Sequence, residues 1–511
     1  MLTRREFLRR SVGGVGTAGT LGVLSAAPVL AQPGGTLTVA IFADPLTLDP
    51  HLAQNLQGRG TARAIHSRLF RIDQKGQLAP GLAESWEQLD QRTYLIHVRQ
   101  GIKFHDGTPF DAEAVRVNLE RIRNPATQSL RAGEISAIDN VETLSARTLK
   151  ITLKLPFAAV LFPFTDVAGS IASPAALQRW GADYALHPAG AGPFRLVEYQ
   201  KDVHTVLERN PDYWEKGKPQ VDRVVLRPIP VDSSRLAELR SGGVQVADAL
   251  PLQDIRRLRQ LSDIVVSEKV GFRWEHFVFN VRPEFPGGSL KFRQAFQWAI
   301  DREALNKLVY FETGSIAYDG ILPGSPFHDP GYKPFTHDLE RAKRLMGESW
   351  VTLPVTLRSA LQPDPVKQRA GQVFQATAEK LGVKVEIQQV DSATYFDRVQ
   401  KGLDGIDLFA WWGYRPDPDQ YLYINLHSTG SWARYRGYSN PKMDELLLAE
   451  RAALTVADRR RIFRQISELM NEDAAYVSYH YSSDFKGLSP KVKGFVPYQD
   501  GLIVYEELSL A

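Results

Sequence analysis

The chain has no cysteine at all. Thiol nucleophiles, thiolate metal sites, disulfides and an acylated N-terminal Cys are therefore excluded. Net charge is nearly as scarce. The formal +4 is concentrated at the start, where residues 1–31 carry four Arg against one Glu; taking away that +3 leaves +1 for the rest. No basic run is interleaved with aromatics, so nucleic acid is not an expected partner. Internal repeats and low-complexity linkers are also missing. So are HxH, HxxxH and HExxH spacings among the 11 histidines, a GxSxG elbow and a P-loop. No cofactor, metal or enzymatic activity is expected. Asp417 and Asp419 do form a close carboxylate pair, but on a Pro-rich loop, where capping or hydrogen bonding within the loop accounts for them equally well.

What is present begins with an address. Thr3-Arg4-Arg5-Glu6-Phe7-Leu8 is a twin-arginine box, followed by a Gly- and Ala-rich apolar run from Val12 to Leu24. Pro28-Val29-Leu30-Ala31 offers small residues for cleavage after Ala31. The run is too short and Gly-rich for a membrane span. Gly14 to Gly19 matches GxGxxG, but no strand precedes it and no acid follows at the right distance, so a dinucleotide site is rejected. The expectation is export by the twin-arginine pathway to a periplasm. The remainder, with 43% apolar and 10% aromatic residues, is too long for one core and must divide into lobes.

From Leu82 to Val115 the residues read LAESWEQLDQRTYLIHVRQGIKFHDGTPFDAEAV. Tyr94, Ile96 and Val98 alternate with Leu95 and His97, which reads as a strand buried on both faces. Gly101 and His105-Asp106-Gly107-Thr108-Pro109 end it with turn chemistry. Asp111 stands at a helix N-cap, with Val115, Leu119 and Ile122 following at helical spacing.

This order of residues resembles the signature of the peptide/nickel-type solute-binding proteins of ABC importers, solute-binding protein family 5. Further on, Gly190-Ala191-Gly192-Pro193-Phe194 and Asn210-Pro211-Asp212-Tyr213-Trp214 resemble two of its turns. Phe277 to Asn280 and the helix Leu290 to Leu305 resemble its passage into a third lobe, with Phe292, Ala295, Phe296 and Ala299 as a core stripe. The resemblance implies an α/β fold of the three-lobed periplasmic binding protein class (type II, cluster C). Two α/β lobes would flank a ligand cleft, with an accessory lobe beside them. Residues 32–70, 191–270 and 482–511 would form the first lobe, 71–190 the accessory lobe and 271–481 the third. Leu46, in a loop similar to the family's "tLDP" segment, and Asn280 would line the cleft.

The ligand should meet the stretch between Val351 and Asp419. Val351, Leu353, Val355 and Leu357 alternate as a strand, a helix runs from about Asp364 to Leu381, and Val383, Val385 and Ile387 form a second strand. Asp391 or Ser392 caps a shorter helix ending near Gly402, and Ile406, Leu408, Ala410 and Trp412 alternate in a third strand. That order argues for parallel strands, with ligand beyond their carboxyl ends. There Trp411-Trp412-Gly413-Tyr414-Arg415-Pro416-Asp417-Pro418-Asp419 brings aromatic walls and fixed charges together. Trp411 is the stronger ligand candidate, because Trp412 also continues the apolar core face. The loop resembles the family's W-x-x-D-x-x-[DE]-P, whose middle acid pairs with a peptide's α-ammonium group; here Tyr414 replaces that acid. A phenol cannot make that charge-assisted bond. Arg415, and Arg358 as a second candidate ending its own strand, favour a carboxylate instead. Glutathione-like, acidic or modified ligands fit better than simple dipeptides. The implied function is capture of a peptide or peptide-like ligand by a monomer that delivers it to ABC permease subunits. A twin-arginine-exported hydrolase and a ligand-sensing component are the alternatives.

Overall fold

The computed structural model describes residues 34–511 except 75, 363 and 413–416. The leader at 1–31 lies outside the described residues. The apolar alternation of Thr36–Ile41 (β1) starts a sheet of nine strands. The accessory sheet follows, from Ala83–Gln88 (β2), Thr93–Val98 (β3), Ile138–Ser145 (β4) and Thr148–Leu153 (β5), in the order β2-β3-β5-β4. The chain then returns to the large sheet through Phe194–Gln200 (β6), His204–Arg209 (β7), Arg223–Pro228 (β8) and Val246–Ala247 (β9). The long strand Val265–Phe279 (β10) leads to a parallel pair, Val355–Leu361 (β11) and Val383–Gln389 (β12). Ile406–Trp412 (β13) and the long Tyr476–Leu488 (β14) rejoin the large sheet, which runs β13-β10-β14-β9-β1-β8-β7-β6, with Ser315–Ile316 added on β14.

The accessory lobe encloses its own core. Asp111 caps the helix Ala112–Arg123 by accepting from Ala114 N–H, and Val115, Leu119 and Ile122 are buried against the sheet. In β3 only Tyr94, Ile96 and Val98 are buried, whereas Thr93, Leu95 and His97 are half-exposed. The expectation of burial on both faces fails because an antiparallel sheet needs cover on one face only. A bidentate ion pair between buried Arg59 and Asp166 (2.7 Å) ties this lobe to the helix Leu56–Ile65 that follows β1.

Two cores cover opposite faces of the β10–β14 end of the large sheet. One holds Phe277, Phe296 and Phe374, the other Trp274, Phe463 and Met470. The helix expected over 290–305 is two helices, Leu290–Ala299 and Arg302–Tyr310, because Asp301 starts the second by capping Ala304 N–H. The expected core stripe is buried as read. β11 begins at Val355, not Val351, since Pro354 has no N–H to give to a ladder. β11 and β12 are parallel with the helix Pro365–Glu379 between them, capped by Asp364. The third expected strand, β13, pairs antiparallel with β10 and meets β11 where Gly405 N–H donates to Arg358 C=O.

β10 and β14 are the only long strands shared by both halves of the large sheet among the described residues. Their pairing is broken between Lys269 and Arg273. Gly271 lies in that bulge at φ +80°, and a Cβ there would sit 2.7 Å from the Pro323 carbonyl oxygen, so glycine is required.

Candidate ligand-binding site

A cavity of about 860 Å³ opens where the strands of both halves end. Phe42 follows β1, Pro230 follows β8, Asp248 follows β9 and Asp364 follows β11, and all four line it. The cavity thus lies beyond the carboxyl ends of strands, where open α/β sheets bind ligands. Its floor is laid by Arg273 of β10 with Ser482 and Asp484 of β14.

The floor is heavily charged. Arg273 Nε lies 3.2 Å from Glu275, which also accepts from Ser482 Oγ at 2.6 Å. Lys486 Nζ lies 2.6 Å from Asp248 and 3.1 Å from Asp484, so two carboxylates share one ammonium. Gln57 adds a hydrogen bond to Asp248 at 3.2 Å. Burial, and next the neighbouring Asp248 charge, push the Asp484 carboxyl up to about 6 against the pull of Lys486. On the opposite wall, Arg369 holds its guanidinium 5.4 Å from the centre of the Phe311 ring, and its Nε is buried with no hydrogen-bond partner.

β13 ends at Trp412, paired with the strand that carries Arg273 of the cavity floor. The backbone register sets Trp412 opposite Arg273 and Trp411 opposite the fully buried Trp274. The side chains of Trp411 and Trp412, and the whole of Tyr414 and Arg415, lie outside the described residues. Asp417 and Asp419 are buried, and both are taken up by arginines. Arg459 grips Asp417 at 2.5 and 2.9 Å and Glu450 at 2.6 Å. Arg451 grips Asp419 at 2.6 and 3.1 Å. Burial first, and then the Asp419 charge, push the Glu450 carboxyl well above its ordinary range. Asp417 and Asp419 therefore anchor the far end of the loop.

They also border a second cavity of about 540 Å³, between the accessory lobe and the helix Asp419–Leu426. There the Arg451 guanidinium lies 4.7 Å from the centre of the Phe157 ring and 3.4 Å from that of Tyr423. Ala158 N–H donates to the Arg451 carbonyl at 2.7 Å, joining the accessory lobe to this region.

The other expected residues are spread out. Leu46 is 63% exposed at φ +30°, held outward by a loop whose Asp44 accepts from Tyr199 and whose Asp49 pairs with Arg121. An exposed leucine on a strained, anchored backbone suits a contact surface. Asn280 is buried, and its amide donates to the carbonyls of Gly402 and Asp404, fixing the turn before β13. Arg358 lies in the middle of β11 and does not end it; its side chain is 75% exposed and 3.7 Å from Glu386. Arg273, Arg369, Asp248 and Asp484 were not singled out from sequence. The available signal was charge within apolar strands, as in GFRWEHFVFN and YHYSSDFKGL. Among the described residues no group of three or more His, Asp or Glu could hold a metal ion, and no helix is long and apolar enough to cross a membrane.

Residues 77–433 match the model of bacterial extracellular solute-binding proteins, family 5 Middle. A glutathione-binding protein GsiB of Pectobacterium atrosepticum is 29% identical over 505 residues, covering 96% of this chain and 97% of its own. Among solved structures, the periplasmic binding protein DppA from Helicobacter pylori, in complex with the peptide STSA, superposes with a TM-score of 0.82 at 24% identity, covering 94% of this chain and 98% of that one. The binding protein AgaA from A. tumefaciens R10, in complex with agropinic acid, gives 0.81 at 26% identity, covering 93% and 99%. The α/β, multi-lobed fold is that of these binding proteins, and the chain belongs to family 5 of the bacterial extracellular solute-binding proteins.

Proposed function

We propose that this protein captures a peptide or peptide-like solute in the periplasm and presents it to the permease subunits of an ABC importer. It would arrive there as a monomer through the twin-arginine pathway, after cleavage behind Ala31. One observation carries the reading: a cavity at the carboxyl ends of strands from both halves of a sheet that two long strands hold together. The lobes would divide at the bulge around Gly271 and at the facing part of β14, close to the boundaries 270/271 and 481/482 expected from sequence. Contacts made from both sides exist only when the lobes close, so ligand shifts an open–closed equilibrium by its differential affinity. No bond is broken in this cycle.

The glutathione-binding relative and the replacement of the family's acid by Tyr414 support a glutathione-like or otherwise acidic peptide as ligand. Trp411, Trp412, Arg415 and Leu46 remain proposed contacts. The test is calorimetry with glutathione and short peptides, followed by solution scattering of the complexes. A bound ligand should raise the melting temperature, by a stabilisation of about 2.7 kcal/mol at a hundredfold excess over Kd. It should also shrink the radius of gyration. A tight ligand that leaves the scattering curve unchanged would refute closure, and absence of any peptide binding would refute the ligand class.

A further inference from the structure

The charges around the larger cavity do not cancel locally. On one side Asp232 is paired with Arg235, but Asp248 and Asp484 share the single ammonium of Lys486, leaving one negative charge in excess. On the floor Arg273 is set against Glu275 and also faces Asp484, and on the other side Lys367 feels Asp364 as its strongest opposite charge. Among the described residues Arg369 makes no ion pair and its buried Nε has no acceptor; its guanidinium lies against the Phe311 ring. The buried Nε–H has given up water without gaining an acceptor, and a ligand anion would supply one. An ammonium group beside Asp484 would likewise give the second carboxylate a partner of its own. Burial first, and then the neighbouring Asp248 charge, raise its titration, and an added cation would oppose both.

We propose that the cavity is a bipolar receptor, in which Arg369 takes a ligand carboxylate and the Asp248–Asp484 pair takes a ligand ammonium. This rests on the peptide-binding reading and deepens it. It supplies, from the floor of the cleft, the acid that position 414 lacks. A ligand with both charges and a short spacer bridges the two sides and is held only when they approach. Neutral sugars and simple anions satisfy one pole or neither.

The test uses the full mature chain and a panel of di- and tripeptides, glutathione included, each in free, N-acetylated and C-amidated form. Calorimetry on the wild type should show at least about thirtyfold weaker binding when either end is blocked. Arg369→Gln should bind free and amidated forms alike, and Asp484→Asn should bind free and acetylated forms alike. Asp248→Asn replaces the second variant if its ligand-free melting curve shows that it has not folded. Equal binding of blocked and free peptides by the wild type overturns the proposal, as do variants that keep both preferences. If no peptide binds, the molecule that co-purifies is identified by mass spectrometry. One bearing both an amine and a carboxylate refutes the peptide reading alone and upholds the two poles. One lacking either group overturns both.

Discussion

Replacing Arg459 by Met should be among the most damaging single changes outside the cleft. Arg459 is 5% exposed and bridges Asp417, 4% exposed, to Glu450, which is fully buried. Removing its guanidinium leaves the Asp417 carboxylate in an apolar setting beside Phe327 and Phe463, whose ring centres lie 4.7 and 5.2 Å from the lost group. Breaking a buried pair by deleting one partner costs about 3–5 kcal/mol. For a cooperative unit of lobe size, each kcal/mol lowers Tm by about 2–4 °C, so the melting transition should fall by about 6–20 °C. Methionine keeps much of the volume and contacts both rings, so the loss reflects charge more than packing. The control is Arg459→Met with Asp417→Leu, which removes both charges and should recover most of the stability, since apolar replacement of a buried pair is often neutral. Differential scanning calorimetry of the three proteins decides the matter. A single variant melting within about 1 °C of wild type, or a double variant worse than the single, would refute the reading of Asp417 as a buried anchor.

Other expectations follow from the same geometry. Between pH about 4 and about 6, folded Asp484 holds more proton than it does unfolded, so its contribution to stability falls as pH rises through that window. Asp484→Asn should abolish that slope and stabilise the ligand-free protein at pH 7, as read by melting curves from pH 4 to 8; Lys486, Asp248 and Arg273 are the charges that face it. His51 and His66 are held down to about 4 and about 3, first by burial, so stability should be lost as pH falls below their unfolded value near 6.5, and neutral replacements should flatten that limb. Gly271→Ala forces a side chain at φ +80° against Pro323 and should cost about 1–3 kcal/mol, and it should also alter the ligand-induced change in scattering if closure turns at this bulge. Replacing Arg4 and Arg5 by Lys should leave precursor in the cytoplasm; normal periplasmic accumulation would reject twin-arginine export.

Local chemistry made much of this fold readable. Asp111 accepts a hydrogen bond from the first turn of the helix it was expected to cap, and so does Asp391, one of the two caps expected for its helix; Asp364 does the same at the start of the helix expected near it. A cap needs only its own next three residues, so its signal survives in a short window. The strand pairings did not have that advantage. β10 and β14 are joined across about 200 residues of sequence, and β13 pairs with β10 although its nearest strand in the chain is β12. Nothing in the alternation of Ile406 to Trp412 distinguishes a parallel neighbour from an antiparallel one.

The same distance limit explains the site. Asp417 and Asp419 attracted notice because they stand together on a loop with aromatics, yet their partners Arg459 and Arg451 come from later helices. Once those arginines are in place, the acids are consumed by structure. Arg369 has the opposite history. On sequence it is one charge in a helix whose face would ordinarily be solvated, and nothing near it in the chain marks it out. Folding brings the Phe311 ring beneath it, buries its Nε and gives it no ion pair among the described residues. What identifies a binding group here is therefore the balance of charge that remains after every internal pair has formed. That remainder can be taken only from the assembled molecule, because each pairing that cancels a charge is made between residues far apart in the chain.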